Sequence, residues 1–254
     1  NKKNKKFILS DEVLLDKINY FGDFNFQIIK EIVTELKKEL DISVKFLVSI
    51  RKQDDLLISN YSYTYNRFSS KYGNFESFIN TIFDDKNDKT LEIFNFYSLY
   101  KDIKINFDCD ILLLPIEKLV EDKENYLKEI ERFTDAKIIG SKELNFKINV
   151  NSIEEDGKKV FQLREVKNLT AYNFFVNIHQ KLKTYSIYKK NYERFSFLKS
   201  FYSFLRSQIK LKKNLKQIYL SDKHRDKILD YYANSNKDLE KISKCDLKRY
   251  KYFI

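Results

Sequence analysis

Apolar residues recur at helical spacing along much of this chain. Between residues 25 and 40 they occupy positions 28, 29, 32, 33, 36 and 40, which predicts an amphipathic helix that ends before Asp41. The same spacing predicts helices over residues 54–68, 74–83, 91–103, 122–136 and 221–244. A further helix is expected to open at Ser10 or Asp11, after a short strand at Phe7–Leu9.

Two other stretches have the apolar character of buried strands. Residues 44–50 form a nearly continuous apolar run, which is typical of a parallel strand covered on both faces. Residues 108–119 predict a second strand, ending at Pro115. Alternation of strands and helices indicates an α/β fold with a parallel sheet. After about residue 165 the pattern becomes long, aromatic and helical, so we expect one domain, 1–254, with an α/β core (1–165) and a helical C-terminal portion (166–254).

Composition indicates a helix-rich protein with reduced thiols. The 254 residues are 43% hydrophobic but include only 4 Gly and 1 Pro, a shortage of turn-formers that favours helices. Two cysteines and two histidines provide neither a disulfide scaffold nor a metal site, and we expect reduced thiols in a cytoplasmic protein. No apolar run reaches the ~20 residues of a membrane helix, and the first residues do not have the pattern of a signal peptide.

Charge is concentrated near the C-terminus. Residues 181–254 contain 20 Lys and Arg against 7 Asp and Glu, a balance of +13, and the rest of the chain has a balance of −2. Such a surface attracts phosphates, sulfates, anionic glycans, nucleic acid or an anionic membrane, and charge alone does not choose among them. Its basic residues alternate with Tyr and Phe, a combination that suits sugar rings, although a lysine-rich helix is more often simply solvated.

The end of the first long strand carries the residues of greatest chemical interest. Arg51 directly follows the run that ends at Ile50, and Ser59 comes eight residues later. Ligands of open parallel sheets bind at the carboxyl ends of the strands, where an arginine can grip a phosphate through its planar fork. The alternative is that Arg51 pairs with Asp54 or Asp55 and that Ser59 is an ordinary helical serine.

The register of Arg51, Ser59 and Tyr61 resembles a motif of the sulfotransferase family. In that family a hydrophobic strand, an Arg, seven residues, a Ser, one residue and a Tyr bind the 3′-phosphate of 3′-phosphoadenosine 5′-phosphosulfate (PAPS). The bacterial and polysaccharide-modifying members are the most similar. The resemblance implies a P-loop-like parallel sheet flanked by helices, with Arg51 and Ser59 as donor-binding residues and no metal.

Three other regions resemble the family in the same order along the chain. Residues 6–15 are similar to the strand and turn that carry a catalytic carboxylate, and residues 228–242 are similar to a C-terminal helix with an Asn-x-x-Leu motif. Residues 110–136 are similar to the family's late strand and helix. The matching positions there are Pro115, Glu117, Leu119, Asp122 and Phe133.

One family element is missing from the sequence. Sulfotransferases bind the 5′-phosphosulfate with an N-terminal, glycine-containing loop that presents backbone N–H groups, and none of the 4 glycines has that context. The loop should precede residue 6. We therefore expect that the chain lacks its natural N-terminus. The alternative is a relative that has lost catalysis. The absence of methionine indicates either a fragment or methionines that are missing from the sequence, for example because they were modified.

The resemblance implies a base that removes a proton from the acceptor. We expect Glu12 to have this role, with Asp11 as the alternate, although both carboxylates also suit a helix start. The predicted function is transfer of a sulfuryl group from PAPS to a hydroxyl or amine, as in a carbohydrate or surface glycan, and nucleic acid is not an expected partner. The alternative is a non-catalytic, sulfotransferase-like basic module that binds an anionic polymer.

Overall fold

The computed structural model describes residues 26–40, 43–138, 152–155, 158–163 and 216–253. These residues form a mostly helical α/β fold, which confirms the predicted class. In chain order the elements are α1 (Phe26–Leu40), β1 (Lys45–Ile50), α2 (Gln53–Tyr63), α3 (Tyr65–Tyr72), α4 (Phe75–Asp84), α5 (Thr90–Ile93), α6 (Phe96–Phe107), β2 (Asp110–Pro115), α7 (Ile116–Glu121), α8 (Lys123–Thr134), β3 (Ser152–Glu155), β4 (Lys158–Gln162), β5 (Gln217–Tyr219) and α9 (Asp222–Ser243).

The chain divides into two compact units. The first consists of Asn1–Leu57, Ile79–Val150 and Leu220–Ile254, and the second of Ile58–Phe78 and Asn151–Tyr219. The predicted single domain, with a boundary near residue 165, stays a prediction. Helix α2 begins in the first unit and ends in the second.

A parallel pair of strands lies at the centre of the first unit. Strand β1 pairs with β2 from Lys45 opposite Asp110 to Ile50 opposite Pro115. This register confirms both predicted strands and their parallel arrangement. The predicted coverage of both faces is wrong for one face of β1, because Lys45, Leu47 and Ser49 are all exposed.

Helices contact both faces of this pair, and the face of Phe46 and Val48 is the more deeply buried one in β1. On one face Phe46 and Val48 contact a buried cluster of Val33, Ile103, Phe107 and Cys109 from α1, α6 and the start of β2. On the other face Ser49 shares a hydrogen bond of 3.1 Å with Tyr126 of α8. At the amino end of β1, the Lys45 ammonium donates to the Phe133 carbonyl over 2.8 Å.

Helix α6 begins later than the sequence pattern predicts. The apolar stretch 91–103 was expected to form one helix, but α5 ends at Ile93 and α6 begins at Phe96. The side chain of Asn95 between them accepts a hydrogen bond from the Ser98 amide, which caps α6. Capping therefore decides the boundary that hydrophobic spacing alone did not show.

The last long helix, α9, completes the core of the first unit. Ser221 caps it by accepting from the His224 amide. Its inward face is buried at Ile228, Leu229, Tyr232, Asn236 and Leu239. Leu239 packs with Ile50, Tyr100 and Leu113 in one cluster that also includes the C-terminal residues Leu247, Tyr250, Tyr252 and Phe253. The predicted helix over residues 221–244 is confirmed.

The second unit contains a small sheet that the sequence did not predict. Strands β3, β4 and β5 are antiparallel, with Ser152 opposite Phe161 and Val160 opposite Tyr219. The unit also holds an aromatic cluster in which Tyr61 contacts Tyr65, Phe68, Phe75 and Phe78, with ring centroids 5.1 to 6.0 Å apart. The stretch 54–68 forms two helices rather than one, with the break at Thr64.

Candidate functional site

The carboxyl ends of β1 and β2 meet at one edge of the first unit. Ile50 and Pro115 are opposite each other, so the segments that follow them leave the sheet side by side. The backbone amide of Lys52 donates to Oε1 of Glu117 over 3.1 Å and joins these two segments. This is the edge at which ligands of parallel α/β sheets usually bind.

Arg51 lies at this edge, immediately after β1. Its side chain is 19% exposed, and Nη2 lies 3.7 Å from Oδ2 of Asp55 in the first turn of α2. Of the two carboxylates that the sequence offered as partners, Arg51 therefore pairs with Asp55. This ion pair keeps the guanidinium at the strand edge.

Asp54 points into the protein and has a different partner. It is only 2% exposed, and its Oδ2 accepts a hydrogen bond from Nε of Arg225 in the first turn of α9 over 3.2 Å. The other oxygen, Oδ1, has no hydrogen-bond partner within the part of the chain that the structure describes. Among the described residues, Asp54 and Asp55 thus each have an arginine as an ion-pair partner.

Gln53 and Asn236 form a fully buried pair of amides beneath this edge. Nε2 of Gln53 donates to Oδ1 of Asn236 over 2.9 Å, and Nδ2 of Asn236 donates back to Oε1 of Gln53 over 3.2 Å. Asn236 also donates to the carbonyl of Tyr252 over 2.9 Å. The pair therefore joins the start of α2 to the middle of α9 and to the C-terminal segment.

Tyr252 completes a hydrogen-bonded circuit around the two strand ends. Its hydroxyl donates to Oε2 of Glu117 over 2.8 Å, while Oε1 of the same carboxylate accepts from the Lys52 amide. Burial and, after it, the nearby Glu117 carboxylate raise the pKa of Tyr252 well above its ordinary value. The tyrosine thus stays protonated and continues to donate to Glu117.

The structure describes only some of the predicted site residues. Arg51 lies at the strand edge, and Ser59 is a partly buried residue of α2 within the second unit. Glu12, the predicted base, and Asp11, its alternate, lie outside the described residues. So do the basic residues of the C-terminal third that alternate with aromatics: Lys189, Lys190, Arg194, Arg206, Lys210, Lys212 and Lys213.

Sequence reasoning missed the residues that support this edge. Glu117 was noted only as a motif position, and neither Gln53 nor Asn236 was given a role. A signal was available for Asn236, which lies four residues after Tyr232 and three before Leu239 and so occupies the apolar face of α9. A polar residue at such a position is buried and needs a partner.

Comparison of the chain with protein-family models, curated proteins and solved structures gives no match. Within the described ranges no group of three or more His, Cys, Asp and Glu residues is arranged to hold a metal ion. The same residues include no helix that is both long and apolar enough to cross a membrane. Inference about function therefore depends on the strand edge itself and on the motif residues.

Proposed function

We propose that the chain is a sulfotransferase that moves a sulfuryl group from PAPS to a hydroxyl or amine of an acceptor, such as a carbohydrate or surface glycan. The observation that carries the proposal is the location of Arg51. It follows a parallel strand directly, at the carboxyl edge, and precedes the helix on which Ser59 lies. Both residues occupy the sequence positions that bind the donor's 3′-phosphate in the family that the motif resembles.

The chemistry of Arg51 suits a phosphate. A guanidinium presents parallel N–H donors that match two phosphate oxygens, and a serine hydroxyl adds a third donor. A phosphate monoester carries up to two negative charges and competes with the single charge of Asp55 for the guanidinium. In this proposal Arg51 exchanges Asp55 for the 3′-phosphate, wholly or in part, when the donor binds.

Both arginines of the described edge already lie beside a carboxylate: Arg51 pairs with Asp55, and Arg225 pairs with Asp54. The charge of the donor therefore calls for further cations, and the chain has an excess of them, with 48 Lys and Arg against 37 Asp and Glu. Arg, Lys and backbone dipoles would then meet the charge of the donor, and the proposal requires no metal.

We assign the strand pair to a P-loop-like parallel sheet flanked by helices. Support comes from the parallel register of β1 and β2 and from helices on both faces of the pair. The cytoplasmic location stays part of this proposal, and Cys109 and Cys245 are free thiols. Burial raises the pKa of Cys245 to about 12, so that thiol is not a nucleophile at neutral pH.

The proposed reaction balances with one proton acceptor. The acceptor oxygen or nitrogen attacks sulfur in line, and the bond between sulfur and the bridging oxygen of the 5′-phosphate breaks. Glu12, or Asp11 in its place, takes the proton that the acceptor loses. The products are the sulfated acceptor and 3′-phosphoadenosine 5′-phosphate (PAP).

Charge favours one alternative function. The +13 balance of residues 181–254 suits a sulfotransferase-like module that holds an anionic polymer without catalysis. Such binding weakens steeply with salt and does not distinguish PAP from nucleotides that lack a 3′-phosphate. A nucleotide titration therefore separates the two functions.

The test is a thermal-shift titration with PAP, using AMP and ATP as controls. A ligand at a hundred times its dissociation constant adds about 2.7 kcal/mol to the free energy of unfolding, which is readily measured. We expect greater stabilisation by PAP than by AMP or ATP, and the loss of that difference in Arg51→Ala. Arg132→Ala is the matched control, because Arg132 is exposed and precedes Phe133, whose carbonyl lies at the opposite end of β1. Equal shifts with all three nucleotides, or none, would refute the donor site.

A further inference from the structure

The buried polar groups under the strand edge form one connected unit. Gln53 and Asn236 are both 0% exposed and exchange two hydrogen bonds. Asn236 reaches the Tyr252 carbonyl, and the Tyr252 hydroxyl reaches Glu117. Glu117 closes the circuit at the Lys52 amide. We call these four residues, Gln53, Glu117, Asn236 and Tyr252, the turn lock.

The turn lock joins segments that are distant in sequence. Gln53 and Asn236 are 183 positions apart, and Glu117 and Tyr252 are 135 apart. Lys52 and Gln53 are the two residues that follow Arg51. The backbone amide of Lys52 is bonded to Glu117, and the side chain of Gln53 is bonded to Asn236. Arg51 therefore stands between the sheet, which fixes Ile50, and a turn that buried hydrogen bonds hold.

Buried amides are a costly way to fill a core. A matched apolar pair of similar shape is often equally stable, but it lacks the directional bonds that fix one arrangement. Directional bonds are useful where a backbone segment has to be held in one place. The turn after β1 is such a segment, because a displacement of about 1 Å in a residue that positions a substrate can lower the reaction rate by roughly a hundredfold.

We infer that Gln53, Asn236 and Glu117 are positioning residues that hold the β1–α2 turn and thereby aim Arg51 at the 3′-phosphate of the donor. This inference rests on the proposed function for its ligand, but the holding of the turn does not. In this proposal Arg51 binds the phosphate, and these three residues do not. They act through the backbone of Lys52 and through the start of α2.

The experiment compares three variants with the wild-type chain. The double variant Gln53→Leu with Asn236→Leu removes the amide pair without leaving one amide unpaired. Glu117→Leu removes the other half of the lock and serves alone if the double variant does not fold. Asn234→Leu is the control, because Asn234 is an exposed asparagine of the same helix. Circular dichroism establishes that each variant is folded.

Two measurements separate the effect of each variant on the turn from its effect on ligand binding. The first is backbone hydrogen exchange in residues 51–55, which needs no ligand. The second is the ratio of the dissociation constants for AMP and PAP, which isolates recognition of the 3′-phosphate. We expect faster exchange in the lock variants and a ratio lowered at least about tenfold, with Asn234→Leu unchanged in both.

Each outcome decides one of the two claims. Unchanged exchange in a folded lock variant overturns the lock, whatever the nucleotides do. Faster exchange with an unchanged ratio overturns the role of the lock in aiming Arg51, and the proposed function stands. If the wild-type chain does not prefer PAP over AMP, the proposed function and the aiming of Arg51 fall together, and the exchange data alone decide whether the turn is held.

Discussion

Asp54 and Arg225 are joined by a hydrogen-bonded ion pair of 3.2 Å between the first turns of two helices. The aspartate side chain is 3% exposed, whereas the arginine side chain is 38% exposed, so the aspartate depends on this partner more than the arginine does. A buried charge without a partner is strongly unfavourable. The pair therefore holds the start of α2 against α9, next to the turn that carries Arg51.

Loss of Arg225 should destabilise the protein more than loss of an exposed arginine. Arg225→Ala leaves the Asp54 carboxylate buried without its cation, and we expect a loss of about 2 to 3 kcal/mol, below the full cost of a buried pair because water reaches Arg225. Arg249→Ala is the matched control. Arg249 lies 3.6 Å from Glu121 with both side chains at least half exposed, and its loss should cost under about 1 kcal/mol.

Urea unfolding at neutral pH measures both free energies. The double variant Asp54→Leu with Arg225→Ala should be more stable than Arg225→Ala alone, because it removes the orphaned charge. Equal losses for Arg225→Ala and Arg249→Ala would show that the buried carboxylate does not depend on its partner.

Long periodic segments of the fold were predictable from the sequence. Six apolar residues at helical spacing indicated α1, and continuous apolar runs indicated β1 and β2. The sheet of β3, β4 and β5 was not predictable in the same way. Its strands have three to five residues, and β4 pairs with β5 across more than fifty residues. Pairing of that kind is determined by tertiary contacts rather than by local pattern.

Ser59→Ala should weaken the binding of PAP without affecting that of AMP. A hydrogen bond to a charged group contributes about 1.5 to 3 kcal/mol, which corresponds to roughly a 10- to 150-fold increase in the dissociation constant for PAP. Ser62→Ala is the control on the same helix. The hydroxyl of Ser62 donates to the Gln162 carbonyl, and its loss should lower stability rather than selectivity.

Isothermal titration with the two nucleotides measures this difference. Retention of the wild-type preference for PAP in Ser59→Ala would remove this serine from the donor site. Loss of the preference in Ser62→Ala as well would indicate a general disturbance of α2, since that side chain is 1% exposed and bonds within its own unit.

The candidate site was only partly visible in the sequence. Arg51 was identifiable because it follows a strand, and its position relative to Ser59 and Tyr61 gave the resemblance. Which of Asp54 and Asp55 pairs with Arg51 was not predictable, because both aspartates lie in the first turn of α2, within reach of an arginine just before the helix. The link from Gln53 to Asn236 depends on where α9 packs, and no local signal contains that information.

Tyr61 and Tyr232 are both almost fully buried, yet the loss of each hydroxyl should have a different effect. The hydroxyl of Tyr232 donates to the Leu91 carbonyl over 2.6 Å, so Tyr232→Phe should cost about 1 kcal/mol. Among the described residues the hydroxyl of Tyr61 has no hydrogen-bond partner. Tyr61→Phe should therefore be neutral or stabilising, because it removes an unsatisfied polar group.

Chemical unfolding of the two variants under one condition tests this contrast. A loss for Tyr61→Phe as large as that for Tyr232→Phe would mean that the Tyr61 hydroxyl has a partner after all. A loss for neither variant would mean that the bond to Leu91 contributes nothing net.

Buried tyrosines should also make the protein sensitive to alkali. Burial and the neighbouring Tyr65 raise the pKa of Tyr61 from 10.0 to about 12, and burial raises those of Tyr232 and Tyr252 as well. Above pH 10 the unfolded chain loses these protons while the folded chain keeps them. Stability is therefore full below pH 10 and falls as the pH rises towards the folded-state values.

Each such tyrosine contributes about 1.4 kcal/mol per pH unit to this fall. Urea unfolding at intervals between pH 9 and pH 12 measures the slope. Tyr61→Phe removes one of these ionisations and should lower the slope by the share of one proton, whereas its stability at pH 8 stays near that of the wild-type chain. A slope identical in both proteins would show that Tyr61 ionises equally in the folded and unfolded states, and that its hydroxyl is not shielded from water.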